Sequence, residues 1–141
     1  MNVLFFLTPK ANCTCLYEDY TIRQALERME NAHYAALPIL RRDGGYVGTM
    51  TEGDLLWAIK NLYMMNMREA EKHPITEINR RCDNRPVSVD TNIDDLVATA
   101  TEQNFVPVVD DKGDFIGLVT RKAIMQYCLS NYIRPREKVA I

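Results

Sequence analysis

Two stretches of this chain carry one pattern, sixty-nine residues apart. The first runs Leu37-Pro38-Ile39-Leu40, a turn at Asp43-Gly44-Gly45, then Gly48-Thr49-Met50-Thr51-Glu52-Gly53-Asp54 and an apolar helical start, Leu55-Leu56-Trp57-Ala58-Ile59. The second runs Val106-Pro107-Val108-Val109, Asp110-Asp111-Lys112-Gly113, and Gly117-Leu118-Val119-Thr120-Arg121-Lys122-Ala123. Pro38 maps to Pro107, Gly48 to Gly117 and Thr51 to Thr120 without a gap. A chain that repeats a unit this short builds two similar halves. Neither half covers its own apolar face, so each must pack on the other. Such packing creates paired sites, and function is sought there.

Each half reads as β-α-β-β-α. Cys13 to Glu18 suits a short strand, and Thr21-Ile22-Arg23-Gln24 has the form of a capping box. Ile22, Ala25, Leu26 and Met29 form one helical stripe. Ala36–Leu40 is too short for a helix and suits a buried strand. Asp43-Gly44-Gly45 is a hairpin turn, and Tyr46–Met50 returns. A helix follows from Thr51 to about Leu62. In the second half the strand is Pro86–Val89, and Asn92 caps a helix with stripe Ile93, Leu96, Val97 and Ala100. Strands at Val106–Val109 and Phe115–Val119 and a last helix to about Tyr132 complete it. The predicted division is 1–62, a linker 63–83, a second repeat 84–134, and a loose tail 135–141. Twenty structureless residues inside a compact domain would be unusual, so short helices are expected in the linker, one over Arg68–Lys72. Met64, Met65 and Met67 suit adaptable packing rather than a metal box.

The net charge of −2 argues against a nucleic-acid partner, whose footprint is basic. No apolar run approaches the roughly 20 residues of a membrane span. Val3–Leu7 lacks the basic flank of a signal peptide, so a cytoplasmic protein is expected. Cys13, Cys15, Cys82 and Cys128 include no CxxC pair, and His33 and His73 stand at no ligand spacing. Reduced thiols without a metal are expected.

Gly48-x-x-Thr51-x-x-Asp54 sits where a strand hands over to a helix. Unpaired N–H groups and the helix dipole favour an anion there. The Thr51 hydroxyl suits a phosphate, and Asp54 one turn on suits the vicinal hydroxyls of a ribose. The same Thr-x-x-Asp spacing is also that of a capping box, which needs no ligand. The second copy differs: Ala123 replaces the acid, and Arg121 and Lys122 follow Thr120. Two cations beside a helix N-terminus suit phosphate more than ribose. Arg80, Arg81 and Arg85 lie before the first strand of the second copy, from where they could face the same region. Phe105, between Asn104 and Val106, suits either stacking on a base or filling the core.

These residues resemble a tandem pair of CBS domains, the module named after cystathionine β-synthase. The resemblance covers residues 7–132. It rests on the two strand-Pro-strand segments, on Gly48-x-x-Thr51-x-x-Asp54 and on the partial echo Gly117-x-x-Thr120. It implies an α/β (α+β) fold of two β-α-β-β-α repeats packed with pseudo-two-fold symmetry, and a homodimer shaped as a flat disc. It also implies a pair of adenosyl-ligand clefts. In such modules Asp54 would hold ribose and Thr51 phosphate. The backbone of Tyr34-Ala35-Ala36-Leu37, and Asn104-Phe105-Val106 in the other copy, would read adenine. Thr8-Pro9-Lys10 would close a cleft. Some small relatives in the family are receptors for cyclic di-AMP, and Thr120-Arg121-Lys122 looks like their phosphate-reading segment.

The expected function is therefore a non-enzymatic regulatory module. It would bind AMP, ADP, ATP or cyclic di-AMP as a regulatory ligand, need no cofactor, and signal to an effector protein in trans. One alternative is a ligand-free dimerisation module. Another is a nucleotide hydrolase, for which His33 is the nearest base but lacks a carboxylate cluster. A redox role for Cys13 and Cys15 is the remaining alternative.

Overall fold

The structure is a computed structural model that describes residues 2–62 and 66–140, with the backbone alone for Leu62 and residues 132–140. A 3-10 turn at Val3–Phe6 leads to β1 (Thr8–Pro9), a second turn at Lys10–Asn12 and β2 (Leu16–Tyr17). Then come α1 (Ile22–Ala32), β3 (Ala36–Leu40), β4 (Tyr46–Thr51) and α2 (Glu52–Leu62). The linker holds α3 (Met67–Lys72) and a 3-10 turn at Ile75–Glu77. The second repeat is β5 (Val87–Ser88), α4 (Ile93–Glu102), β6 (Phe105–Val109), β7 (Phe115–Thr120) and α5 (Arg121–Ala140).

Local chemistry sets these limits. Thr21 and Gln24 make both bonds of the predicted capping box at α1. His33 ends that helix with φ 57°, and its N–H reaches the Met29 carbonyl. Asp43 Oδ1 accepts from the Gly45 N–H at 3.0 Å, and Gly44 takes the φ of 104° that closes the hairpin. Asn92 caps α4 by accepting from the Asp95 N–H at 2.9 Å.

The two hairpins share one register. Ala36 opposes Thr51 as Phe105 opposes Thr120, and both ladders shift at the matching step, Ile39/Leu40 and Val108/Val109. β2 and β5 each add in parallel to the outer end of β3 and β6. The sheets are β2-β3-β4 and β1-β7-β6-β5. The chain start thus joins the sheet of the second repeat, with Thr8 opposite Leu118 and Pro9 opposite Gly117.

The cores follow the same exchange. Val3 and Phe6 pack with Leu96, Val106, Val108 and Val119 of the second repeat. Ala70, Ile75 and Ile78, from the linker, pack with Leu16, Ile22, Leu37 and Leu55 of the first. The Ile22 N–H donates to the His73 carbonyl and the Ile75 N–H to that of Tyr20, both at 2.9 Å, pinning the linker to α1. The segment before each repeat completes the core of the other. The halves are also tied at their turns: Phe115 N–H donates to Gly44 O at 2.9 Å and Tyr46 N–H to Gly113 O at 3.3 Å. These bonds exchange under the sixty-nine-residue offset, so they mark the pseudo-two-fold axis. Tyr46 and Phe115 stack beside them, with ring centroids 6.4 Å apart.

Three expectations change. The strand expected from Cys13 to Glu18 is Leu16–Tyr17, because only those residues meet β3. The N-terminal segment, assigned in sequence order to the first repeat, packs with the second. The helix expected to end near Tyr132 continues to Ala140, past Pro135, since proline removes one donor without having to end a helix. The expected packing of Met64 and Met65 lies outside the described residues.

Phe6 tests the exchange. Phe6→Ala should cost about 3–5 kcal/mol in urea unfolding, the range of a buried aromatic truncation. A loss under about 1 kcal/mol, typical of a surface site, would place this segment outside the second core.

Candidate functional site

Strands β3 and β6 set up two clefts. β2 and β5 cover only their distal ends, so Ala36–Pro38 and Phe105–Pro107 keep an edge that no strand pairs. The first cleft, about 170 Å³, runs along the Ala36 edge. Its walls come from both repeats and the chain start: Thr8, Asn12, Cys13 and Thr14; Tyr34 to Pro38; and Asn104, Phe105, Leu118 and Thr120. Tyr34 stands at its rim, 61% exposed. Thr120 caps α5 by accepting from the Ala123 N–H at 3.1 Å, which leaves its hydroxyl proton to donate. The site therefore combines a strand edge able to read a flat heterocycle, an aromatic rim, and a hydroxyl at the start of a long helix.

The corresponding space beside β4 is taken by the chain's own linker. Asp83 accepts from the Thr49 N–H at 2.9 Å and is paired bidentately with Arg80 at 2.7 and 3.2 Å. A Cβ on Gly48 would meet that carboxylate, just as one on Gly117 would meet the Thr8 carbonyl. Tyr46 donates to the Asn84 carbonyl at 2.7 Å and shares a 2.8 Å bond with Thr49. Burial pushes its phenol up to about 12, so it stays a neutral donor. Asn84 Nδ2 donates to the Phe105 carbonyl at 3.0 Å and Gln103 Nε2 to the same oxygen at 3.2 Å. The strand edge that Ala36 offers in the first cleft is thus already used at Phe105 in the second.

The predicted site residues divide accordingly. Thr8, Tyr34, Ala35, Ala36, Leu37, Asn104, Phe105 and Thr120 come together in the first cleft. Pro9 and Lys10 adjoin it in sequence but do not line it, and the Lys10 ammonium lies by the Gly44 turn. Thr51 and Asp54 lie on the other side and cap one another, Asp54 N–H to Thr51 Oγ1 at 3.0 Å and Thr51 N–H to Asp54 Oδ2 at 3.1 Å. Asp54 also accepts from the Arg81 N–H at 3.1 Å and is 3% exposed. Its two oxygens each accept from a backbone donor, Oδ2 from Thr51 and Oδ1 from Arg81. Arg121 turns to the end of α4, where Nε donates to the Ala100 carbonyl at 2.9 Å; the pull of unpaired helix carbonyls takes it out of the cleft. Arg85 pairs with Glu102 at 2.6 Å, also outside. Val106 is core. Lys122 is exposed in the first turn of α5.

The chain matches the family described as CBS domain twice, over residues 7–61 and 75–130. It belongs to the CBS-domain family. No curated protein matches its sequence. Among solved structures it is similar to CbpB in complex with c-di-AMP, at 18% identity and TM-score 0.85, covering 98% of this chain and 91% of that one. The CbpB protein of Listeria monocytogenes, also with c-di-AMP, aligns at 19% identity and TM-score 0.81 over 94% and 97%. CBSX2 of Arabidopsis thaliana, in complex with AMP, aligns at 23% identity and TM-score 0.73 over 93% and 98%.

Sequence reasoning on the CBS pattern missed Asn12, Cys13, Thr14, Pro38 and Leu118 in the first cleft, and Asp83 and Asn84 in the second. Leu118 follows Gly117 in the motif already identified, and a signal for it was present. Asn12 to Thr14 carries no pattern; only the placement of β1 on β7 brings it near. Burial raises the thiol of Cys13, and raises that of Cys15 to about 12. Both stay protonated at neutral pH and are poor nucleophiles there. Among the described residues no group of three or more His, Cys, Asp or Glu side chains could hold a metal ion. His33 is exposed at the end of α1.

Asp83 should set part of the acid sensitivity of this CBS pair. Partial burial pushes its carboxyl up, but the Arg80 hydrogen bond, the Thr49 N–H and the Arg80 charge outweigh it, and the net shift is down. A carboxyl lowered in the folded state stabilises above its unfolded value, about 3.9, and that contribution is lost as pH falls through the lowered value. Asp83→Asn should therefore lower thermal stability at pH 7 and flatten its decline below about pH 4. An unchanged acid limb would show that the carboxylate is not held as described.

Proposed function

We propose that this protein is a non-enzymatic regulatory module that binds an adenine nucleotide in the first cleft and signals occupancy to a partner protein, working as a homodimer. The observation that carries this reading is the unpaired Ala36–Pro38 edge facing Thr120 across one cleft. Backbone N–H and C=O groups side by side suit the ring nitrogen and amino group of adenine. The cleft volume of about 170 Å³ is below the roughly 300–1,000 Å³ that encloses a drug-sized ligand. It fits a base and leaves ribose and phosphate at the mouth, near Thr120, the α5 N-terminus and Lys122. The CbpB and CBSX2 structures, with c-di-AMP and AMP respectively, support an adenine ligand. The second cleft is closed by Arg80, Asp83 and Asn84, so one nucleotide per chain is expected.

Cyclic di-AMP is the second reading. Ala123 puts no carboxylate beside Thr120. A ligand richer in phosphate than in free ribose hydroxyls then meets no like charge and loses no partner there.

Thermal shift of nucleotide-stripped protein with AMP, ADP, ATP, cyclic di-AMP and GMP tests this. The right ligand at 100 times its Kd should add about 2.7 kcal/mol, several degrees in Tm. Thr120→Ala should weaken it about tenfold or more through a lost hydrogen bond to a charged group, and Thr120→Ser should restore it. No shift from any adenine compound, with the protein folded, would leave a ligand-free dimerisation module as the better reading. In contrast, Asp54→Ala should cost about 1–3 kcal/mol of stability by orphaning the Thr51 and Arg81 N–H groups. Calorimetric titration should find the affinity for the first-cleft ligand unchanged by it.

A further inference from the structure

Among the described residues no charged side chain lines the first cleft. Its polar side chains are the neutral ones of Thr8, Asn12, Thr14, Tyr34, Asn104 and Thr120, with the Cys13 thiol. The cations expected near it are engaged elsewhere. Lys10 lies with Asp114 by the Gly44 turn, Arg85 pairs with Glu102, and Arg121 donates to the Ala100 carbonyl. Lys122 is exposed on the first turn of α5 and does not line the cleft. The space beside β4 makes the contrast. Asp83 brings a carboxylate to the Thr49 N–H there, and Arg80 accompanies it as its counterion. The strand edge on that side is met by two neutral carboxamides, Asn84 and Gln103, both donating to the Phe105 carbonyl. An anion in the first cleft meets the hydroxyl proton of Thr120 and no such counterion.

One hydroxyl serves one phosphate. A second or third phosphate adds charge that only water or Lys122 meets, and an exposed ion pair of that kind changes affinity by about fivefold at most. With the base at the Ala36 edge and a phosphate at Thr120, the ribose lies between them. The segment 12–14 stands on the Thr120 side, because the Lys10–Asn12 turn packs on β7. The Cys13 thiol holds that segment by donating to the Thr8 and Pro9 carbonyls at 3.4 and 3.3 Å. Ala123 offers the ribose no acceptor. The side chains of Asn12 and Thr14 have no hydrogen-bond partner among the described residues, and each carries both a donor and an acceptor, as vicinal hydroxyls require. We propose that the first cleft recognises an adenosine carrying one phosphate, with the ribose held by Asn12 and Thr14, and leaves the number of further phosphates unread. The module then reports that an adenosyl phosphate is present, not the balance of mono- and triphosphate. The inference rests on the adenine-nucleotide reading above and not on the homodimer.

Calorimetric titration of nucleotide-stripped protein tests this, without divalent cations and at about 50 and about 300 mM salt, where screening differs. AMP, ADP and ATP should bind within about fivefold of one another at both salt concentrations. The wild type should prefer AMP to its 2′-deoxy and 3′-deoxy forms. Asn12→Ala and Thr14→Ala should each weaken AMP about fivefold or more, and together they should erase that preference. Neither side chain belongs to a core, so both variants should unfold in urea as the wild type does. A wider spread among AMP, ADP and ATP, in either direction, would overturn the indifference to phosphate number. A preference for AMP over the deoxy forms that survives in the double variant would overturn the ribose assignment. Both outcomes leave the adenine-nucleotide reading standing. Binding of no adenine compound would overturn that reading and this inference together.

Discussion

The exchange of flanking segments holds this molecule together. Val3 and Phe6 enter the second core, and Ile75 and Ile78 enter the first. Each repeat alone would leave apolar core positions open, and burial of such side chains contributes about 1.5–3 kcal/mol each. The halves are therefore interdependent. The reciprocal bonds between Tyr46 and Gly113 and between Phe115 and Gly44 fix their relative angle at the turns. Both clefts lie where that angle brings one repeat's strand edge to the other's helix start.

The exchange also makes the clefts unequal. At the first, the visiting segment is a strand, β1, which pairs with β7 and leaves the Ala36 edge free. At the second, the visiting segment sends side chains instead: Asp83 to Thr49, and Asn84 to Phe105. A carboxylate is seated there on the backbone N–H beside Gly48. Pseudo-symmetry of the scaffold thus coexists with a single vacant strand edge, and this inequality carries the functional reading.

Periodicity and turn chemistry were legible because they act over a few residues. The Thr21–Gln24 capping box, the Asp43-Gly44-Gly45 hairpin and the Asn92 cap all appear at the expected positions. Tyr34 to Leu37 and Asn104 and Phe105, singled out from the strand pattern, do line one cleft. The linear pattern leaves side-chain direction open. Asp54 and Arg121 stand at helix starts facing a cleft in the linear pattern, yet one caps its own helix and the other caps α4. Each found a backbone group left unpaired by secondary structure, and nearby unpaired groups compete directly with a ligand.

What the sequence by itself determined is the doubled β-α-β-β-α unit, its register and its family. These follow from hydrophobic spacing, glycine at close approaches and residues that cap, all of which are local. Only the tertiary structure decided which segment completes which core and which cleft stays open. Those outcomes depend on contacts between residues tens of positions apart. Their spacing leaves no periodic trace, because packing selects them by shape and by the polar groups left over after the helices and strands have formed.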